Sequence, residues 1–335
     1  MPKVKNISKS LFFIFLPFII ILISLCVGAY HVSIKDIFKI FMSKFTHSNY
    51  GIEEIATSII LDTRLPRIIG AVMAGAGLAV SGAVFQCIFK NPLADPYTLG
   101  VSNGAGFGAA IAIIMSVPAL SVQMISMAFG IFAVVLTFLL SIKNNKSTAT
   151  LILSGMLVSA LFSSLVSLIK FVADPFEKLP QIIYWLMGTM VGINYSKIIS
   201  ILPAYLIAMF IIFLYRWRIN VLSMGDVQAK SFGIDVKKDR MVVIITSTLI
   251  TSLVVSISGI IGWVGIVIPH LARILVGPDF RKLMPVSISL GISYLLIIDD
   301  ICRSLTSMEI PIGVVTGIIG IPVFVYFIYT RKVSW

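Results

Sequence analysis

Long stretches without charge constrain this chain more than any other feature. Between Asp95 and Lys143 lie 47 residues with no charged side chain. As a single helix they would measure roughly 70 Å, about twice the 30 Å hydrocarbon core of a bilayer. The stretch is therefore predicted to cross a membrane twice, with a turn at Val117-Pro118. A second uncharged stretch of 32 residues ends at Arg273 and is predicted to break at Ser258-Gly259.

The composition agrees with a membrane protein. Only 12% of the residues are charged and 58% are hydrophobic, whereas soluble domains carry roughly 25% charged residues. We predict an all-α, polytopic protein of the cell (cytoplasmic) membrane, with residues 1–335 forming a single transmembrane domain of about ten helices. The apolar segment 181–192 is too short to span and is predicted to lie at the interface or to re-enter. The predicted spans are 11–30, 66–89, 98–117, 119–142, 149–172, 198–215, 241–258, 262–276, 284–302 and 311–330.

The distribution of charge predicts the orientation. If the N-terminus is cytoplasmic, the inner side carries 17 of the 26 basic residues but only 5 of the 14 acidic residues. Positive charge concentrates on the cytoplasmic side of membrane proteins, so both termini are predicted to be inside. The net charge of +12 is then explained without a nucleic-acid partner. In this orientation 30–63 is an external loop and 216–240 is the largest cytoplasmic loop.

Motifs for catalysis and metal binding are missing from the sequence. The three cysteines, Cys26, Cys87 and Cys302, have no CxxC spacing, and there is neither an HExxH nor a GxxxxGK[ST] motif. We therefore predict no catalytic residue, no metal site and no cofactor, and expect any ATP hydrolysis to occur on another protein.

Three arginines lie at the predicted outer ends of spans, where positive charge is normally scarce. Arg64 and Arg67 flank the start of the second span, and Arg303 follows the ninth. If exposed, they could bind a ligand. They could also reach lipid headgroups or pair with nearby acids such as Asp62 and Asp299. The residues alone leave both alternatives open.

The segment 216–240 combines charged residues with apolar ones, namely Met224, Val227, Phe232 and Ile234. A loop that only joined two helices would expose these apolar side chains to water without benefit. We predict short helices here that contact a partner protein.

The source of energy for any transport can also be read in part from the sequence. An ion-driven carrier usually buries acidic residues near the middle of the membrane, and the middle of every predicted span lacks Asp and Glu. An ion-driven secondary carrier is therefore retained only as an alternative. A membrane-embedded enzyme is a third alternative and lacks a recognisable catalytic pair.

Five sequence blocks resemble the FecCD family of ABC-transporter permeases, which import iron-siderophores, haem and vitamin B12. Together the blocks extend over most of the chain after the first span. They are RLPR at 64–67, NPLADP at 91–96, LGVSNGAG at 99–106, GWVGIVIPHLARILVGPDFRKLMP at 262–285 and EIPIGVVTGIIGIPVF at 309–324. Phe280 departs from the histidine that is common at this position of the family.

The resemblance implies a ten-helix permease subunit in an ATP-driven importer of iron-siderophores, or alternatively of haem or vitamin B12. It implies three kinds of protein partner, in addition to membrane lipid. These are a second permease subunit, identical or homologous, two ABC ATPase subunits on the cytoplasmic face, and an extracytoplasmic substrate-binding protein.

The resemblance also assigns roles to residues of this chain. Acidic residues of the binding protein would dock on three outer arginines, Arg64, Arg67 and Arg303. Five residues would couple the permease to the ATPase, namely Gly225, Asp226, Ala229, Phe232 and Gly233. Ser147, Thr148 and Ala149 would form a cytoplasmic gate, although Ala149 lacks the hydroxyl often found there.

Overall fold

Helices account for most of the chain in the computed structural model, which describes residues 2–28, 30–46, 53–142, 148–306 and 308–330. No strand occurs within these ranges, and the prediction of an all-α protein is confirmed. The α-helices are α1 (Pro2–Cys26), α2 (Ile34–Thr46), α3 (Glu54–Ser58), α4 (Leu65–Phe89), α5 (Val101–Ile114), α6 (Ala119–Ile142), α7 (Thr148–Val172), α8 (Lys178–Leu186), α9 (Tyr195–Met224), α10 (Asp226–Ser231), α11 (Val236–Ser258), α12 (Val264–Val276), α13 (Phe280–Ser304) and α14 (Ile312–Thr330).

Each of the ten predicted spans coincides with one helix. Six helical segments in the described ranges are long and apolar enough to cross a membrane, and four shorter apolar helices accompany them. The segment predicted to be half a span contains only α8, followed by a turn. The protein is therefore a multi-pass membrane protein. Its orientation, with both termini inside, stays a prediction.

The two predicted loops contain more helix than expected. The external segment 30–63 holds α2, α3 and most of a π-helical segment, Ile59–Arg64, that leads into α4. At the other loop, the sixth span was predicted to end before Arg216, but α9 continues to Met224. Charged residues such as arginine are themselves good helix formers, and Arg218 in this extension donates to the buried carboxylate of Asp239 at 2.7 Å.

The small residues of α4 place this helix at the centre of the bundle. It packs against α9, α11, α12 and α13, and almost all of its residues are buried. A Cβ atom on Gly75 would lie 2.3 Å from the carbonyl oxygen of Gly291, and one on Gly82 would lie 1.9 Å from that of Gly265. Because the backbones are this close, only glycine fits at these crossings.

Backbone hydrogen bonds fix the turn that follows α8. The amide of Thr189 donates to the carbonyl oxygen of Ser258 at 2.7 Å, and the amide of Ile312 donates to that of Gly188 at 2.9 Å. The turn therefore joins the end of α11 to the start of α14. This connection holds α8 against the bundle at the end that carries the three arginines.

Candidate functional site

Arg67 is the centre of a buried ion cluster at one end of the bundle, here called the arginine end. Its Nε and Nη2 atoms donate to the carboxylate of Asp299 at 2.8 to 3.0 Å, and its Nη1 donates to both oxygens of Glu309, at 2.8 and 2.6 Å. Asp299 is fully buried and Glu309 is partly exposed. One guanidinium thus joins α4, α13 and the segment before α14 by bidentate pairing.

Arg303 extends the same cluster toward α1. Its guanidinium pairs with Asp300 and with Asp299, 3.9 Å away, and donates to the backbone oxygen and hydroxyl of Ser24. The hydroxyl of Ser24 in turn donates to Asp300 at 2.7 Å. The C-terminal end of α1 is therefore tied to the end of α13.

Arg64 makes a different set of contacts. It donates to backbone oxygens at and just beyond the end of α1, to Leu25 at 2.7 Å and also to Tyr30. A cation is favourable at a helix C-terminus, where carbonyl groups have no partner within the helix. Arg64 thereby fixes the start of α4 to the end of α1.

The three arginines are largely buried. Arg64, Arg67 and Arg303 are only 4%, 6% and 7% exposed. The sequence shows single charges but not which acids reach them, and the partners of Arg67 lie 232 and 242 residues away. Their role in docking a binding protein stays a prediction. Glu309, which sequence reasoning missed, is the first residue of the EIPIG block.

The opposite end of the bundle carries α10 and is here called the short-helix end. All five predicted coupling residues lie there. Gly225 and Gly233 adopt φ values of +127° and +75°, a region that favours glycine, and they bracket the helix. Ala229 is fully buried, Asp226 pairs with Arg240, and Phe232 is exposed.

Three exposed apolar side chains lie on or beside α10, whose other exposed residues are polar. Val227 is 76% exposed and Phe232, which follows the helix, is 58% exposed, and Met224 just before it is also exposed. The segment forms one short helix, and Ile234, unlike the other three apolar residues named from the sequence, is buried; contact with a partner protein stays a prediction. An apolar surface of this kind, rimmed by charged residues, is typical of a protein-contact site.

A basic cavity of about 550 Å³ lies beside α10. Lys90, Arg273 and Arg281 line it together with Asp279, whose carboxylate accepts hydrogen bonds from Arg281 and from Asn220. These hydrogen bonds, led by that from Arg281, lower the pKa of Asp279 to about 2. Asp279 also accepts from a backbone amide at the start of α13.

Phe280, the position that departs from the resembled family, is fully buried at the start of α13. Its backbone amide donates to the side-chain oxygen of Asn220 at 2.6 Å. The substitution therefore adds an apolar side chain to the core at this end.

The structure gives little information on the predicted gate. Ser147 lies outside the described residues, α7 begins at Thr148, and Ala149 is exposed. Within the described ranges, no three His, Cys, Asp or Glu side chains gather into a metal site.

Comparison with known proteins gives consistent matches. Residues 16–330 match the sequence model of the FecCD transport family. Relatives include the molybdate import system permease protein MolB of Haemophilus influenzae, 40% identical over 92% of both chains. The cobalamin import system permease protein BtuC of Halobacterium salinarum is 37% identical, over 85% of this chain and 77% of its own. The hemin transport system permease protein HmuU of Yersinia pestis is 33% identical, over 81% and 83%.

A solved structure gives the same result. It is an inward-facing conformation of a transporter assigned to the metal-chelate type of ABC transporter. Its chain superposes with a TM-score of 0.86 and 38% identity, covering 97% of this chain and all of that one.

Proposed function

The chain belongs to the FecCD transport family of ABC-transporter permeases, and we propose that it carries a ferric siderophore inward through the cell membrane. The permease itself is not catalytic, and a separate pair of ATPase subunits supplies the energy. The observation that most directly supports an ATPase partner is the exposure of two apolar side chains, Val227 on α10 and Phe232 just after it. It offers a mechanical contact for a cytoplasmic partner.

ATP-driven closure of the ATPase pair would move α10 relative to the bundle. Ala229 is fully buried, so that displacement of α10 is passed to the helices against which it packs, α9 and α11. Switching between inward-open and outward-open states then requires only that the ATPase binds the two states with different affinity. Gly225 and Gly233 form the turns on either side of α10, and α10 would move about these turns.

A second permease subunit, identical or homologous, would complete the pathway. Helices α6, α7 and α9 present many exposed large apolar side chains, among them Leu157, Leu161 and Phe210. Such faces suit lipid and a second membrane subunit. The residues Ser147, Thr148 and Ala149 would close the cytoplasmic end of the pathway between the two subunits.

The binding protein would dock at the arginine end, which is proposed to face outward. In the cluster Arg67 is shared by Asp299 and by the partly exposed Glu309. An acidic side chain of the binding protein could displace Glu309 without breaking the buried pair with Asp299. Docking would then be an exchange of carboxylates, and it would weaken with salt.

The identity of the cargo rests on weaker support. Relatives are named for molybdate, cobalamin and hemin, and the solved structure is of the metal-chelate type. A ferric chelate is our first proposal, with haem and vitamin B12 as alternatives. Molybdate is a second candidate, because the relative named for it is 40% identical over 92% of this chain.

Uptake into proteoliposomes tests these proposals. The full chain would be reconstituted with the ATPase and binding protein encoded beside it, and accumulation of radiolabelled ferric siderophore, haem, cobalamin and molybdate would be compared. We expect ATP-dependent uptake of the ferric chelate. Uptake of molybdate alone would select the second candidate, whereas uptake driven by an ion gradient without ATPase would overturn the ABC mechanism.

A further inference from the structure

A pocket of about 280 Å³ with both apolar and polar lining residues lies at the arginine end, between α8, the turn after it and the ends of α6, α9 and α11. Lys197, Gln123, Tyr184 and Thr189 contribute to its wall. The cavity is at or below the roughly 300–1,000 Å³ that holds a drug-sized ligand. It therefore fits a small group and not an entire chelate.

The charge of the pocket wall is positive. Lys197 is half-buried, and no Asp or Glu is among the lining residues. Its ammonium has no ion-pair or hydrogen-bond partner in the described part of the chain, whereas the three arginines at this end are all engaged. A partly buried ammonium without an acceptor favours an anionic ligand.

Gln123 supplies a second unused group. Its side chain is 1% exposed, and its Nε2 donates to the backbone oxygen of Lys197 at 3.2 Å and to the hydroxyl of Ser200 at 3.0 Å. A backbone oxygen only accepts, so this contact assigns the nitrogen and leaves Oε1 on the other side of the amide. That Oε1 is buried and has no partner. It can accept a hydrogen bond from a hydroxyl or a bound water on a ligand.

We propose that this pocket binds a small oxygen-rich anionic group that carries an O–H or a tightly held water. The ammonium of Lys197 neutralises the charge, and Oε1 of Gln123 accepts from the O–H. A free oxyanion with a tightly held water and a hydroxy-carboxylate arm of a chelate share this chemistry. The site lies on the permease itself and goes beyond the proposed subunit function.

The pocket is connected to the ion cluster. The hydroxyl of Tyr184 lies 3.4 Å from both Oγ1 of Thr189 and the backbone oxygen of Glu309, the residue whose carboxylate pairs with Arg67. An anion in the pocket therefore lies one side chain away from the surface proposed for docking.

Titration calorimetry on the full-length protein in lipid nanodiscs tests the proposal. Molybdate, sulfate and ferric citrate would be titrated separately in chloride-free buffer of constant ionic strength. Saturable binding of molybdate or sulfate would identify the free oxyanion as the ligand. Saturation by ferric citrate alone would identify the carboxylate arm.

Variants assign the binding to Lys197. Lys197→Gln should weaken binding ~10-fold or more, the loss expected for one charge-assisted hydrogen bond, and Lys197→Arg should retain it. Lys170→Gln is the matched control, since Lys170 lies in the last turn of α7 and outside the pocket. Absence of saturable binding for all three probes, or wild-type affinity in Lys197→Gln, overturns the proposal. Neither result bears on the uptake experiment, because no ATPase or transport is involved.

Discussion

Arg67 on α4 and Asp299 on α13 form a buried bidentate ion pair, with donor-acceptor distances of 2.8 to 3.0 Å. The two helices pack extensively against each other. Removing one partner leaves the other charged and buried, which is more costly than removing both. The pair thus makes the position of α13 depend on a residue of the RLPR block.

Substitution of Asp299 should therefore destabilise the protein strongly. We expect Asp299→Asn to lower the free energy of unfolding by ~3 kcal/mol, and a double variant, Arg67→Met with Asp299→Leu, to recover part of the loss. Thermal unfolding in detergent measures both. The matched control is Arg281→Met, which removes an exposed pair with Asp279 and should cost about 1 kcal/mol or less. Equal losses of unfolding free energy in Asp299→Asn and Arg281→Met would contradict a buried, stabilising ion pair between Arg67 and Asp299.

The spans and the short helix α10 could be predicted because hydropathy and charge act locally along the chain. The ion cluster could not be predicted, since Arg67 and Glu309 are 242 residues apart and nothing in the sequence marks them as neighbours. Lys197 was missed for the same reason. A lysine near the start of a span is common, and its lack of an acidic partner is visible only in three dimensions. The sequence analysis likewise ended the sixth span before the charged residue Arg216. In the structure α9 continues to Met224, and Arg218 pairs with the buried Asp239.

Glu309 should compete with the binding protein for Arg67. Because Glu309 is partly exposed, Glu309→Gln removes a carboxylate that the binding protein would have to displace. We expect association several-fold tighter than wild type at low salt, with the difference shrinking as salt is added. Surface plasmon resonance on nanodiscs measures it. Glu54→Gln changes another exposed carboxylate near this end and serves as the control. Unchanged or weaker association in Glu309→Gln would exclude the exchange of carboxylates.

Val227 should be required for coupling and dispensable for folding. Its side chain is 76% exposed, so Val227→Asp places a charge in the proposed ATPase contact while leaving the core intact. We expect transport to fall at least ~10-fold, as for an anchor worth more than 1 kcal/mol at an interface, with an unchanged midpoint of thermal unfolding. Ile34→Asp, at a residue that is 75% exposed on α2, should transport normally. Normal ATP-driven uptake by Val227→Asp would place the ATPase contact elsewhere.

Gly82 and Gly262 provide a matched pair of glycine substitutions. A Cβ at Gly82 would lie 1.9 Å from the backbone oxygen of Gly265, whereas one at Gly262 would meet nothing within 4 Å. Gly82→Ala should therefore force α4 and α12 apart and cost ~2 kcal/mol or more, while Gly262→Ala should be close to neutral. Unfolding midpoints of the purified variants test this, and a neutral Gly82→Ala would show that the two helices can separate without loss.

Asp95, in the turn between α4 and α5, should make stability depend on pH. Burial raises its pKa to about 6, and its carboxylate accepts a hydrogen bond from the amide of Tyr97 at 2.8 Å. The folded protein therefore binds a proton that the unfolded chain releases near pH 4. For this group, stability is greatest below pH 4 and is lost as the pH rises through about 6.

Asp95→Asn removes the charge and retains a side-chain oxygen that can accept from Tyr97. We expect it to be more stable than wild type at pH 8, by on the order of 1 kcal/mol after allowance for solvent screening, and equal to it near pH 4. Unfolding at a series of pH values measures the difference, and Asp174→Asn, in the loop before α8, controls for general charge effects. A constant difference across this range would show that the Asp95 carboxylate stays ionised in the folded protein.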